Sequence, residues 1–180
     1  MKWLIASDLH GSARYCEALL NAFRREEADR LILLGDLLYH GPRNDFPKEY
    51  DTRAVTAMLN GVRERLLCVR GNCDTEVDQM VLEFPIMADY CFLAADGLSI
   101  FATHGHIYGP DNPPTLGEGE FLLCGHTHLP VRRKCGRFTY LNPGSLSLPK
   151  EGTPHSYMTL ENGRFTWHDL LAGTPFQPLN

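Results

Sequence analysis

Three short apolar runs, "KWLIAS", "LILLG" and "LLCVRG", each end in a polar residue or a glycine, and helical sequence separates them. Between the first two, Cys16, Leu19, Leu20 and Phe23 recur at i, i+3, i+4 and i+7 behind Ser12 as a candidate N-cap, so an amphipathic helix is expected there. Between the second and third, Val55, Met58 and Leu59 give a second helix from Asp51 to about Gly61. Strand, helix, strand, helix, strand is the signature of a parallel sheet with helices packed on it.

After about residue 85 strands dominate. Asp96-Gly97 and Asn162-Gly163 each sit between apolar or alternating runs, and "VRRKCGRFTYLNPGS" forms a third hairpin around Gly136. A second, largely antiparallel sheet stacked on the first is therefore expected. No repeat or linker divides the chain, so residues 1–180 are taken as one domain, large enough to bury a substantial core.

Composition narrows the partners. Twenty-two acidic and 17 basic residues give a net charge of -5, and the basic clusters "FRREEADR" and "VRRKCGR" read as solvated faces, leaving no strong nucleic-acid footprint. The apolar start of the chain meets Asp8 too soon for a signal peptide or a membrane span, and six irregularly spaced cysteines suit a reducing, cytoplasmic setting. Exposed hairpin edges leave room for a homo-oligomer.

The chemistry lies at the ends of the apolar runs. Asp8 and His10 follow the first, Asp36 the second and Asn72 the third; His104 follows "LSIFAT", and His126 and His128 follow "EFLLC". The carboxyl ends of parallel strands open onto a crevice where such donors can meet. Asp8/His10 and His126/His128 are each two apart, so in extended chain each pair projects to one side. Glycines flank most of them, which permits unusual backbone angles and close approach of an ion. His155 and His168 have no such context and read as ordinary side chains. Specificity is expected to come from loops such as "YHGPRNDFPKEYD" and "IYGPDNPPTLGEGE", the second of which reads as a long loop near function.

Oxygen and imidazole donors without thiolate suit Mn, Fe, Zn or similar dications. Seven donors exceed one ion's needs, and two ions sharing Asp36 account for them. A two-metal centre can activate a bridging water near neutral pH and clamp a phosphate for in-line attack, so no protein nucleophile is required. Two dications, two carboxylates and a hydroxide leave about +1, which a phosphodiester's single charge would neutralise.

The ordered set "SDLHGS", "LLGDLLYHGP", "RGNCD", "THGH" and "GHTHLP", with "LNPGS" further on, resembles the calcineurin-like metallophosphoesterases and among them the small bacterial phosphodiesterases. The resemblance implies a four-layer α/β/β/α sandwich of two stacked mixed sheets flanked by helices, and a dinuclear centre. In it Asp8, His10, Asp36 and His128 surround one ion, and Asp36, Asn72, His104 and His126 the other. It further implies Mn²⁺ as the first-choice metal, with Zn²⁺, Fe²⁺, Ni²⁺ or Mg²⁺ as alternatives, and a small phosphodiester as substrate. His106 would face the substrate or support a ligand. Where most of the family has histidine after the asparagine, this chain has Cys73. A neutral thiol is a poor proton donor, so diesters with good leaving groups are the expected substrates. Cys73 is not expected to attack, and Asp74 is expected to orient its loop. A phosphomonoesterase using the same centre, or a scaffold protein of this fold with vestigial metal sites, are the alternative readings.

Overall fold

The computed structural model describes residues 1–180. β1 (Trp3–Ala6), β2 (Arg30–Leu33) and β3 (Leu66–Cys68) are parallel neighbours, joined through α1 (Ala13–Arg25) and α2 (Thr52–Asn60). Both helices start where the sequence offers a cap: the Ser12 hydroxyl accepts from Tyr15 N–H, and the Asp51 carboxylate from Ala54 N–H. A short α3 (Glu76–Gln79) follows, opened by a capping box between Thr75 and Asp78.

The remaining strands are β4 (Tyr90–Ala95), β5 (Leu98–Thr103), β6 (Phe121–Leu123), β7 (Pro130–Cys135), β8 (Phe138–Pro143), β9 (Ser156–Glu161), β10 (Arg164–Asp169) and β11 (Pro175–Phe176). All three expected hairpins form, as β4–β5, β7–β8 and β9–β10. Their distribution differs from the simple expectation of one early and one late sheet. The β9–β10 hairpin and β11 extend the first sheet, in the order β11-β10-β9-β1-β2-β3. The second sheet, β4-β5-β6-β8-β7, is not largely antiparallel, because β5, β6 and β8 run parallel through its centre. Hairpin signals specify which strands pair locally, but not which existing edge the hairpin joins.

Alternation along each strand builds the layers. In β1, Leu4 and Ala6 face α1 and α2, while Trp3 and Ile5 face the second sheet and meet Ile100, Ala102, Leu123 and Leu141. On the far side of the second sheet, Phe101, Leu122, Phe138 and Tyr140 are covered by Leu116 and Tyr108 from the segment after β5. The fourth layer is thus irregular chain, all three α-helices having been used before residue 80. No helix is long and apolar enough to cross a membrane.

Candidate metal centre

The loops leaving β1 and β2 are laced together by their backbones. Asp8 N–H donates to Gly35 O (3.2 Å), His10 N–H to Asp36 O (2.9 Å) and Gly11 N–H to Leu37 O (2.9 Å). The loop after β3 joins them through Asp74. Its carboxylate is buried and accepts backbone N–H bonds from Asp36 (2.8 Å), Leu37 (2.9 Å) and Gly71 (2.7 Å). Burial pushes the Asp74 carboxyl up to about 6, against the pull of these donors. Asp74 thus fastens one strand-end loop to another.

Side chains aimed inward from these loops meet in one place. His10, His104 and His128 are all buried, and each uses Nδ1 to donate to a main-chain carbonyl: Tyr39 O (2.8 Å), Leu34 O (2.6 Å) and Leu148 O (2.6 Å). A carbonyl only accepts, so the neutral imidazole proton sits on Nδ1 in each ring and Nε2 presents a lone pair. These lone pairs face other acceptors. His10 Nε2 lies 3.3 Å from His128 Nε2, 3.6 Å from Asp36 Oδ2 and 3.7 Å from Asp8 Oδ1. His128 Nε2 lies 3.3 Å from Asp8 Oδ1, and His104 Nε2 3.5 Å from Asp36 Oδ2 and 3.0 Å from Asn72 Oδ1. Asp8 Oδ1 is buried with no hydrogen-bond donor at all. Acceptors converging without donors repel one another unless cations lie among them. The donor set fits divalent metal ions of the borderline class.

The ionisation behaviour has the same cause. Burial alone would raise Asp8, but the imidazoles of His128, His104 and His10, wherever one of them takes up a second proton, hold it well below the ordinary carboxylate range. Burial opposes protonation of His104, yet Asp36 and Asp8 lift it to about 9, so without metal a proton on Nε2 takes the place a cation would have between these acceptors. His10 and His126, where burial dominates, move down.

Asp8 (φ 57°), His10 (51°), Asp36 (56°), His126 (67°) and His128 (62°) all occupy the left-handed region. The Asp8/His10 and His126/His128 pairs are therefore not side-by-side positions of extended chain, as their spacing suggests; each residue sits on a turn. Such backbone costs on the order of 1 kcal/mol or more per residue and persists only where its surroundings enforce it. Part of that enforcement comes from residues 142–147, at the end of β8 and just beyond it, which carry no carboxylate, imidazole or thiol. Ser145 and Ser147 hydroxyls donate to Asp8 O (2.9 and 3.1 Å), and the Asn142 amide donates to Gly125 O (2.7 Å) and Thr127 Oγ1 (3.1 Å). The motif "LNPGS" contains Asn142 and Ser145 but stops short of Ser147. A Cβ on Gly125 would overlap the Ser7 side chain, and one on Gly71 would overlap Asp36.

His126 is half-buried, its ring 5.1 Å from that of His104, and its N–H donates to Asp8 Oδ2 (3.0 Å). His106 does not line the cavity onto which the centre opens; its ring lies 5.4 Å from that of His104 and 6.3 Å from that of His126. Cys73 is buried at the other side, where Asn72 Nδ2 donates to its sulfur (3.2 Å) and its own N–H donates to Asp36 Oδ1 (2.8 Å). Burial, reinforced by the Asp36 charge, drives the thiol well above its ordinary range and keeps it protonated. Its sulfur nevertheless lies within 4.8 Å of donor atoms of His10 and Asp36, a proximity the sequence did not suggest.

The centre opens into a cavity of about 590 Å³ lined by His10, Asp36, Asn72, Cys73, His126 and His128, with Arg43, Asn44 and Lys150 on its wall. Of the two loops expected to supply specificity, only the one carrying Arg43 and Asn44 contributes to this cavity. The other covers the outer face of the second sheet through Tyr108 and Leu116. His155 and His168 serve packing, the first stacked on Tyr15 and the second on Tyr157.

Comparison with known proteins agrees with this architecture. The chain is 47% identical over 162 residues to the phosphodiesterase YfcE of Escherichia coli, covering 90% of this chain and 88% of that protein. A solved structure of the E. coli phosphoesterase YfcE superposes with a TM-score of 0.95 at 43% identity, covering 99% and 98% of the two chains. Zinc-bound Vps29 of Entamoeba histolytica shares the fold at 19% identity and a TM-score of 0.59, covering 98% and 96%. The calcineurin-like phosphoesterase superfamily domain matches residues 1–163, from before the first laced loop to the hairpin that closes the first sheet, and the chain belongs to that superfamily.

Proposed function

We propose that this protein is a metal-dependent phosphodiesterase whose 180 residues work as one domain holding two divalent ions, manganese first among them. The observation that carries the reading is the ring of buried acceptors, with His10 and His128 Nε2 3.3 Å apart and imidazole Nε2 atoms 3.3–3.7 Å from carboxylate oxygens. Asp8, His10, Asp36 and His128 would hold one ion, and Asp36, Asn72, His104 and His126 the other. Asp36 Oδ2 stands 3.6 Å from His10 and 3.5 Å from His104, which suits a shared ligand. Two such ions supply Lewis acidity to phosphate oxygens and acidify water.

The chain's own groups do the rest. Tyr39, Leu34 and Leu148 carbonyls fix the tautomer and aim of His10, His104 and His128. Asp74 keeps Asp36 and the Asn72 loop in register. Arg43 and Lys150, on the cavity wall, place positive charge where a phosphate anion and an anionic product would lie. Cys73, a protonated thiol, gives the departing oxygen little proton assistance, so the leaving group must be stable as an anion. That favours aryl diesters and other activated diesters over plain alkyl ones. The closely similar YfcE, a phosphodiesterase by name, supports a diester in preference to a monoester. Six free cysteines suit a reducing, cytoplasmic setting.

Metal analysis after manganese loading should give about two ions per chain, and chelation should remove turnover of bis(4-nitrophenyl) phosphate until manganese is restored. Full metal content without diester turnover, or faster turnover of 4-nitrophenyl phosphate than of the diester, would refute the proposal.

A further inference from the structure

A second cavity of about 590 Å³ adjoins the metal centre, and Cys73 belongs to the walls of both. It is chemically unlike its neighbour. Seven of its 12 lining residues are apolar or aromatic, among them Leu38, Tyr39, Tyr50, Ala57, Val77 and Val81. Its size falls within the range of small-molecule sites. The Arg43 loop meets this thiol where the two cavities adjoin: a Cβ on Gly41 would come within 3.3 Å of the Cys73 sulfur. The cavity is also tied to the ligands, since Tyr39 carries the carbonyl that fixes His10. Tyr39, Val77 and Val81 are exposed around the opening, at 42%, 69% and 49%.

We propose that this second cavity is the binding subsite for one organic arm of the phosphodiester, and that the arm carries a planar apolar group such as an aryl ring or a nucleobase. The inference rests on the phosphodiesterase reading. A phosphate seated among Asn72, His126 and His128 would lie in the polar cavity, while an ester substituent turned toward Cys73 would meet the aromatic and aliphatic walls beyond it. A thiol at this junction takes up less space than an imidazole would. A ring packed against Tyr39 or Tyr50 and the valines would bury apolar surface to an extent that a methyl ester could not match. Specificity would then come from the cleft between α2 and α3, with Ala57 and Val77 on facing walls.

Ala57→Trp tests this from an exposed helix position, where the fold has room for the larger side chain. Val77→Trp repeats the test from the opposite wall. Each variant should raise KM for bis(4-nitrophenyl) phosphate about tenfold or more while kcat at saturation changes less than threefold. The inhibition constant of dimethyl phosphate, which has no planar arm, should be unchanged. Independently of turnover, 2-naphthol added to the metal-free protein should shift the methyl NMR signals of Ala57, Val77 and Val81, and the Trp variants should lose those shifts. Folded Trp variants with parental KM, or 2-naphthol binding elsewhere, would overturn the inference while leaving the phosphodiesterase reading intact. A parental dimer that the Trp variants dissociate at constant KM would also overturn it, assigning the cleft to a second copy. Absence of any metal-dependent diester turnover in the parent would instead remove the reading on which the inference stands.

Discussion

Asp74 touches none of the proposed metal ligands' donor atoms, yet the site should fail without it. Its Oδ2 accepts from Asp36 N–H and Gly71 N–H, and its Oδ1 from Leu37 N–H. Hydrogen bonds to a charged group contribute about 1.5–3 kcal/mol each, and buried donors left without a partner cost about 1–3 kcal/mol each. Burial, which pushes its pKa up to about 6, takes back part of that gain. Asp74→Ala should therefore lower the stability of the metal-free protein by about 3–5 kcal/mol, a large share of the roughly 5–15 kcal/mol typical of a domain. Asp74→Asn separates the hydrogen bonds from the volume. An amide oxygen in the Oδ2 position keeps two of the three bonds, and only the Leu37 N–H then faces a donor, so the loss should be about 1–3 kcal/mol. Urea unfolding of the metal-free proteins measures both values, and metal stoichiometry after reloading reports whether Asp36 and Asn72 have moved. If alanine costs under 1 kcal/mol, or asparagine costs as much as alanine, the lacing role is wrong.

Cys73→Ala should retain most turnover of bis(4-nitrophenyl) phosphate at full metal content; loss of turnover would make the thiol a participant. Cys73→His should extend activity toward diesters with poorer leaving groups, read as a shallower dependence of kcat on leaving-group pKa. His128→Ala and Asn72→Ala should each abolish metal-dependent turnover and lower manganese content below two per chain; parental values in either assay would remove that residue from the ligand set. His168 is stacked 5.0 Å from Tyr157, bonded to Thr159 Oγ1, and shifted down by burial. A histidine held below its unfolded pKa resists protonation in the fold, so its stabilisation is complete above about pH 6.5 and is lost as pH falls from there through the lower folded pKa. His168→Phe should reduce the fall in melting temperature between pH 7.5 and 5.5, and an equal fall in parent and variant would contradict the sign.

The alternating strands and capped helices were readable because each is a local pattern: Ser12 and Asp51 start helices by bonding residues three positions on, and Leu4 and Ile5 reach opposite cores through simple alternation. The metal-capable residues stood out for a different reason, that carboxylates and imidazoles recur at the ends of several successive apolar runs. What stayed hidden is long-range. The sequence cannot say that β9 pairs with β1, that Ser145 and Ser147 hold Asp8 from about 140 residues away, or that Asp74 bridges two loops. Nor does it show that Asp8, His10, Asp36, His126 and His128 adopt φ values usual for glycine. These gaps are one fact. A side chain turned inward by left-handed backbone is stable only if other segments hold it there, and Asn142, Ser145, Ser147 and Asp74 make such contacts. The centre is therefore specified twice, once by the donors and once by the polar residues that bind their backbone, and loss of the second set should disperse the first.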